Sequence, residues 1–290
     1  MFQRLKFVFM PGDYLQYARL LQACPLDKTP HFVQNIHNSS LYDGFFMRLQ
    51  MLTWAEAENA VAFSDAIIIP IGSTEQHGPN GLIGTDAVTA EAMCLEIGER
   101  TGALVAPVIS IGMARHHMAF AGSMTLQPET LILVIRDIVI SLAQHGFRRF
   151  YFLNGHGGNI STINKAFEQI AADREVPGGK GALTCVLRNW WAHDAAKALS
   201  EKYYGEQEGH HATPSEVAVT QHLFPDHIKP VEMEPAPRQK PQIGSAEEYR
   251  SRYPDGRMSS NPALATPEQG KEIFEATVAH WAKDFESFAG

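Results

Sequence analysis

Three residues near the middle of the first half of the chain can do metal chemistry together. Glu75-Gln76-His77 follows a short apolar run, Ala66–Ile71 (AIIIPI). In extended chain, side chains two residues apart point the same way, so Glu75 and His77 can face one ion together. Asp86 comes nine residues after His77, in Gly84-Thr85-Asp86, immediately before a helical pattern. Gly78, Pro79, Asn80 and Gly81 permit a tight loop that returns Asp86 to the same point. Taken singly, each residue has a plain structural role. Asp86 or Thr85 can be a helix N-cap, His77 a hydrogen-bonded loop histidine, and Glu75 a solvated acid. Taken together, just past a buried strand, they lie where open α/β sheets bind their ligands.

A second constellation is Asn154-Gly155-His156-Gly157-Gly158-Asn159. Glycine on both sides of His156 lets the backbone approach a neighbour closely. A phosphate-cradling turn is the rival reading, but Ile160 occupies the place of the third glycine in the dinucleotide pattern. Glu216 admits two readings. Thr213-Pro214-Ser215-Glu216 fits a capping box, with Glu216 reaching back to the helix start. His210-His211 just upstream instead favours imidazole and carboxylate converging on an ion or a proton shuttle. His116-His117 can line such a site or be ordinary loop histidines. Of Trp190-Trp191, one is expected in the core and the other over a flat substrate. The remaining histidines show no pattern.

The elements that must hold these residues alternate between strand and helix. Strands are expected at Ala66–Ile71, Leu104–Ile109, Arg149–Leu153 and Gly181–Leu187, each a short apolar run. Helices are expected at Trp54–Val61, Ala87–Arg100, Pro128–Gln144 (closed by Gly146), Asn159–Asp173, Thr213–Leu223 and Thr266–Ser287. Alternation of this kind predicts an α/β fold, three-layer α/β/α with a mostly parallel central sheet. Residues 1–50 are rich in aromatics without a clear period and read as an N-terminal extension, leaving residues 51–290 as one catalytic domain. Lys229–Ser260, rich in Pro, Gly and polar residues, reads as a long surface excursion near the site.

Composition narrows the function further. The chain has 290 residues, 44% of them hydrophobic, and a formal net charge of −8, which is a soluble globular profile. No run of Lys or Arg provides the basic stripe of a nucleic-acid binder. No stretch reaches the roughly 18 apolar residues of a membrane helix. Pro11, Gly12 and Asp13 follow the short apolar start without a cleavage pattern. Cys24, Cys94 and Cys185 are scattered and read as reduced thiols, hence a cytoplasmic location.

Four blocks in order, Ile71–Asp86 (IGSTEQHGPNGLIGTD), Phe120–Leu126 (FAGSMTL), Asn154–Asn159 (NGHGGN) and His211–Glu216 (HATPSE), resemble the creatininase family of creatinine amidohydrolase-like proteins. The resemblance spans roughly residues 54–288. It implies an α/β hydrolase with two divalent metal ions per chain (Zn, Mn or Fe), a small-molecule substrate and a homo-oligomer, often a hexamer. By matching position it implies that Glu75 and His156 bind one ion, His77 the other, and that Asp86 bridges them. His211 matches a histidine that assists proton transfer. In creatininase proper the remaining carboxylate lies two residues after the turn histidine, where this chain has Gly158; relatives with a GHGGN turn use the glutamate matching Glu216. Ser123, Gly157, Trp190 and Trp191 are the residues expected against the substrate. The family's aromatic after the turn histidine is Gly157 here, its His-Leu-Pro is Asn80-Gly81-Leu82, and its FPGT reads Phe120-Ala121-Gly122-Ser123, so the walls of the site differ. Metal-activated water attacking an amide or cyclic amide is the implied chemistry. Relatives that open an oxidised inositol ring, process a redox peptide or remove a formyl group mark the alternatives, and a nucleotide-binding module is the alternative from another class.

Overall fold

A computed structural model describes residues 48–234 and 242–290. The extension expected over residues 1–50 falls almost wholly outside them, as does Cys24. Four strands, β1 (Ala66–Ile71), β2 (Leu104–Val105), β3 (Arg149–Asn154) and β4 (Thr184–Asn189), form a parallel sheet in the order β2-β1-β3-β4. Among the described residues eight α-helices accompany them: α1 (Trp54–Phe63), α2 (Thr85–Thr101), α3 (Pro128–Gln144), α4 (Ile160–Ala172), α5 (Asp194–Tyr203), α6 (Pro214–Leu223), α7 (Ala246–Arg252) and α8 (Pro267–Ala289).

The isoleucine run of β1 is buried on both sides, because alternate side chains of a strand face opposite layers. Ile67, Ile69 and Ile71 join Phe150 and Phe152 of β3 under Leu131 and Ile135 of α3 and Ile163 of α4. Ile68, Tyr151 and Leu153 face the other layer, against Met93 and Ile97 of α2 and Val278 and Trp281 of α8. Each such side chain contributes roughly 1.5–3 kcal/mol on burial. The result is the three-layer α/β/α sandwich expected from the alternation.

The strand expected at Leu104–Ile109 is broken in two. Pro107 has no N–H to give the ladder, so β2 ends at Val105, the Ala106 N–H makes a last bond to the Ile68 carbonyl at 2.9 Å, and contact with β1 resumes at Ile109, whose N–H donates to the Pro70 carbonyl at 3.0 Å. Pro70 itself sits inside β1. Its missing N–H lies on the side of its carbonyl, toward the stretch interrupted at Pro107. The strand expected from Gly181 begins at Thr184, since Gly178, Gly179 and Gly181 all have positive φ and form a turn. Helices α5 and α7 have no counterpart among the expected elements. His193, an unusual N-cap, opens α5 by accepting from the Ala196 N–H at 3.4 Å. Helix α7 lies within the Lys229–Ser260 excursion, opened by a Ser245/Glu248 capping box.

Two glycines fix where the site forms. A side chain at Gly72 would meet the backbone of Asp86 and Ala87 at 2.5 Å, and one at Gly155 would meet the Asp86 carbonyl oxygen at 2.0 Å. Glycine at both positions therefore lets the first turn of α2 wedge between the C-terminal ends of β1 and β3. Asp86 is thereby carried to the point where Glu75 and His156 leave the sheet.

Candidate metal centre

The five expected ligands come together at this strand end. His77 Nε2 lies 3.0 Å from Asp86 Oδ1 and 3.8 Å from Glu216 Oε2. His156 Nδ1 lies 3.2 Å from Glu75 Oε1 and 3.1 Å from Asp86 Oδ2. Glu75, His77 and Asp86 are almost fully buried. Asp86 is not a helix cap: α2 starts from Gly84, with no side-chain capping bond. Its carboxylate is instead spent on the two imidazoles, near the positive end of the helix.

Both imidazoles are oriented from behind. His77 Nδ1–H donates to the Glu75 carbonyl at 3.1 Å, and His156 Nε2–H donates to the Met113 carbonyl at 3.1 Å. Each ring therefore turns an unprotonated nitrogen toward the carboxylates, the arrangement by which metal-binding histidines are held. Glu75 Oε1 and Asp86 Oδ2 are buried without a hydrogen-bond partner, although imidazole nitrogens stand 3.1–3.2 Å away. Lone pairs facing lone pairs at that range need positive charge among them. Protons can supply it: burial lowers the affinity of His156 for a proton, but Glu75 and Asp86 override burial and hold it up to about 9. Burial raises the Glu75 carboxyl to about 7, with His156 pulling it back and Asp86 adding to the rise. Burial would raise Asp86 as well, yet His77 and His156 hold it well below the carboxylate range. A divalent cation supplies the same charge without protons, and the donors Glu75, His77 and Asp86 lie within 4.8 Å of one another.

Around this cluster stands a second group that composition and spacing singled out only in part. His211 Nδ1 is 3.8 Å from Glu75 Oε1, and His117 Nε2 is 3.2 Å from the same oxygen. Their rings stack at 4.3 Å, with 30° between planes. Gln76 holds both, and Tyr249 of α7 stands edge-on to His117 at 4.9 Å. Gln76 lay inside the first motif without a role, and Tyr249 lay in the polar excursion, where no periodic signal marks a buried aromatic.

The family model for Creatininase (creatinine amidohydrolase) matches residues 50–285. The chain belongs to the creatininase family. It is 29% identical over 240 residues to the creatinine amidohydrolase of Pseudomonas putida, covering 78% of this chain and 91% of that one. It is also 29% identical over 187 residues to the 3-dehydro-scyllo-inosose hydrolase of Thermotoga maritima, covering 62% of this chain and 57% of that one. Two solved creatininases superpose with a TM-score of 0.73 over 84% of this chain and 99% of theirs: a zinc–zinc form of a variant at 27% identity and a manganese form at 26%.

Within this family member, the turn that carries His156 excludes the carboxylate expected from creatininase proper. A Cβ at Gly158 would lie 2.3 Å from His156 Nε2 and 2.7 Å from the Met113 carbonyl oxygen. Glu216 approaches from α6 instead. Its Oε1 accepts from the Thr213 N–H at 2.6 Å, completing the capping box, while Oε2 faces His77. One oxygen of Glu216 thus serves the capping box and the other faces His77. The residues expected against substrate separate. Ser123 is buried and its hydroxyl accepts from the Gln76 N–H at 3.1 Å, so it braces the first motif. Gly157 is exposed, and a side chain there would meet open space. Trp190 is 3% exposed and packs in the core, where its carbonyl accepts from Trp281 Nε1 at 3.0 Å. Trp191 stands edge-to-face against Trp190 at 5.9 Å and is half-buried.

Proposed function

We propose that this creatininase-family hydrolase uses two divalent metal ions to cleave an amide or cyclic amide C–N bond of a small molecule. The carrying observation is the orphaned pair Glu75 Oε1 and Asp86 Oδ2 beside two imidazoles whose outer N–H groups are pinned to backbone carbonyls. Glu75 and His156 would hold one ion, His77 and Glu216 the other, with Asp86 between them. Nitrogen and oxygen donors without thiolate suit Zn, Mn or Fe, and zinc and manganese are named for the solved relatives. When bound, such ions lower the pKa of water from about 15.7 to near 7 and polarise a carbonyl.

The chain's own residues would supply the rest. His211 Nε2 lies 2.8 Å from the Gln76 carbonyl oxygen, so its proton sits there and Nδ1 faces the site as the atom that takes and returns a proton. Burial, with the neighbouring His117 and His77, holds His211 well below its ordinary value, so the resting ring is neutral. Gly157 leaves open the space that the family's aromatic fills, which favours a substrate other than creatinine itself. The likeness to the inosose hydrolase supports ring opening of a cyclic ketone as the second reading. A homo-oligomer, a hexamer by family likeness, and a cytoplasmic location complete the proposal; no described helix is long and apolar enough to cross a membrane.

Elemental mass spectrometry on protein purified without a histidine tag or added metal tests the centre. About two equivalents of Zn, Mn or Fe per chain are expected. One equivalent would remove either His77 or Glu216 from the set. None, even after reconstitution, would end the metallohydrolase reading. A screen of cyclic amides, formamides and cyclic ketones then separates the two reactions.

A further inference from the structure

The Gln76 amide stands against both imidazoles of the outer group, and its own orientation is settled. Its Oε1 accepts from the Gly78 N–H at 2.9 Å, so the other arm is the NH2. That NH2 donates to the Gly256 carbonyl at 3.0 Å. It also stands 2.9 Å from His117 Nδ1. A donor faces that nitrogen, so Nδ1 must carry the lone pair and the ring proton must sit on Nε2. His117 Nε2 is buried and has no hydrogen-bond partner, although Glu75 Oε1 is only 3.2 Å away. His211 is set the opposite way. Its Nε2 stands 2.9 Å from the same NH2 and 2.8 Å from the Gln76 carbonyl; with the two NH2 hydrogens committed to Gly256 and His117, the His211 ring donates Nε2–H to that carbonyl and leaves Nδ1 bare. Two stacked rings therefore present a donor and an acceptor side by side.

The grouping of Glu75, His117 and His211 within 4.8 Å resembles a further cation site. The proton on His117 Nε2 argues against it, because a nitrogen that carries hydrogen has no lone pair to give a metal. It argues for an oxygen ligand instead. We propose that His117 is a catalytic residue whose Nε2–H donates a hydrogen bond to the carbonyl oxygen of the substrate as that oxygen gains negative charge, and that Gln76 is the positioning residue that fixes its tautomer. A buried donor held in place before the reaction stabilises an oxyanion without reorganisation. No proton is transferred in this step: His117 stays protonated on Nε2, and His211 Nδ1 remains the proton carrier. The proposal rests on the metallohydrolase reading for its substrate but not for its tautomer.

The test is side-chain ¹⁵N NMR on ¹⁵N-histidine protein, both metal-free and zinc-loaded, with His117 assigned through its backbone. The proton is expected on Nε2 and the bare nitrogen at Nδ1 in both samples. A proton on Nδ1, or a zinc-shifted Nε2, overturns the proposal whatever the zinc content. Absence of zinc binding with the expected tautomer would instead sink the metal reading alone. Two variants carry the consequence. Gln76→Glu replaces the NH2 by an acceptor and is expected to move the His117 proton to Nδ1. His117→Phe keeps the ring and is expected to weaken binding of methylphosphonate to the zinc-loaded protein about ten- to a hundredfold at unchanged zinc content, the range for one hydrogen bond to a charged group. Unchanged methylphosphonate affinity in His117→Phe would refute the donor role.

Discussion

Helices α1 and α6 open with the same sequence device and use it differently. Thr53-x-x-Glu56 and Thr213-x-x-Glu216 are both complete capping boxes. At α1 the glutamate spends a single oxygen: Glu56 Oε2 accepts from both the Thr53 N–H at 2.7 Å and the Thr53 hydroxyl at 2.8 Å, at an exposed helix end. At α6 the two oxygens divide. Glu216 Oε1 accepts from the Thr213 N–H, and Oε2 turns to His77 across the buried centre. The motif alone therefore says where a helix begins. What lies opposite the second oxygen decides whether the acid is also a ligand, and that depends on which strand end the helix is packed against.

The largest effects should come from the acid at the centre of that contrast. Asp86 is in contact with both His77 and His156 and caps nothing. Asp86→Ala is expected to lose both metal equivalents and activity by several orders of magnitude, read by elemental analysis and by turnover on any substrate found in the screen. Full metal content in that variant would remove the bridging role. Next comes Glu216→Gln, which keeps a capping-box side chain but removes the charge. It should lose about one metal equivalent with little change in melting temperature. Glu56→Gln, the same substitution at the solvent-exposed box, should change neither. Equal behaviour of the two glutamines would erase the distinction between the boxes.

Much of this site was legible in the sequence, for a physical reason. Glu75, His77 and His156 follow closely on the ends of β1 and β3, so correct strands placed them at the C-terminal edge of the sheet, and Asp86 was legible from the Gly-rich loop that leads back to the start of α2. The helix starts with Pro and a capping pair, α6 and α8, were legible from their first turns for the same reason, since the signal is local. His117, Gln76 and Tyr249 were not legible as a group. They come from three loops or short helices joined only by packing, and a histidine in a 3₁₀ turn at Arg115–His117 looks the same whether it faces solvent or a carboxylate. The Leu104–Ile109 strand failed because apolar content was read over Pro107. Trp190 was drawn toward the substrate by its position after a strand, while its indole went to the core between the sheet and α8.

Glu208 sharpens the comparison from another side, because it is an acid packed against the same helix start as Glu216 but away from His77. The Ser215 hydroxyl donates to its Oε1, and its Oε2 is buried without a partner. Burial, aided by the charge of Glu216, raises it to about 7 from an ordinary 4.5, against the Ser215 hydrogen bond. Between those values the folded chain binds more protons than the unfolded chain, so this group's contribution to stability is present at low pH and is lost as pH rises through the window. In metal-free protein, Glu208→Gln is expected to match the wild type near pH 5 and to exceed it at pH 8, by at most about 3 kcal/mol. Thermal melts across that range decide it. A wild-type advantage at pH 8 would mean that Glu208 is ionised and paired.

The smallest predicted effect isolates the link between cap and ligand. Thr213 accepts from the Glu216 N–H at 3.4 Å and sits 3.2 Å from the Ser215 hydroxyl. Removing an N-cap side chain costs about 1 kcal/mol, so Thr213→Ala and Thr53→Ala should each lower the melting temperature by roughly 2–4 °C. Of the two boxes, only that of α6 also holds an oxygen facing the proposed metal centre. A partner that orients a metal ligand typically changes metal affinity about ten- to a hundredfold when lost, and Thr213 acts at one remove, through the backbone that carries Glu216. Zinc affinity measured by competition with a chelator should therefore weaken about tenfold in Thr213→Ala and stay unchanged in Thr53→Ala. If both variants lose the same stability and neither loses zinc, the α6 cap is structural only. Glu216 Oε2 would then be aimed by the burial of α6 rather than by its first turn.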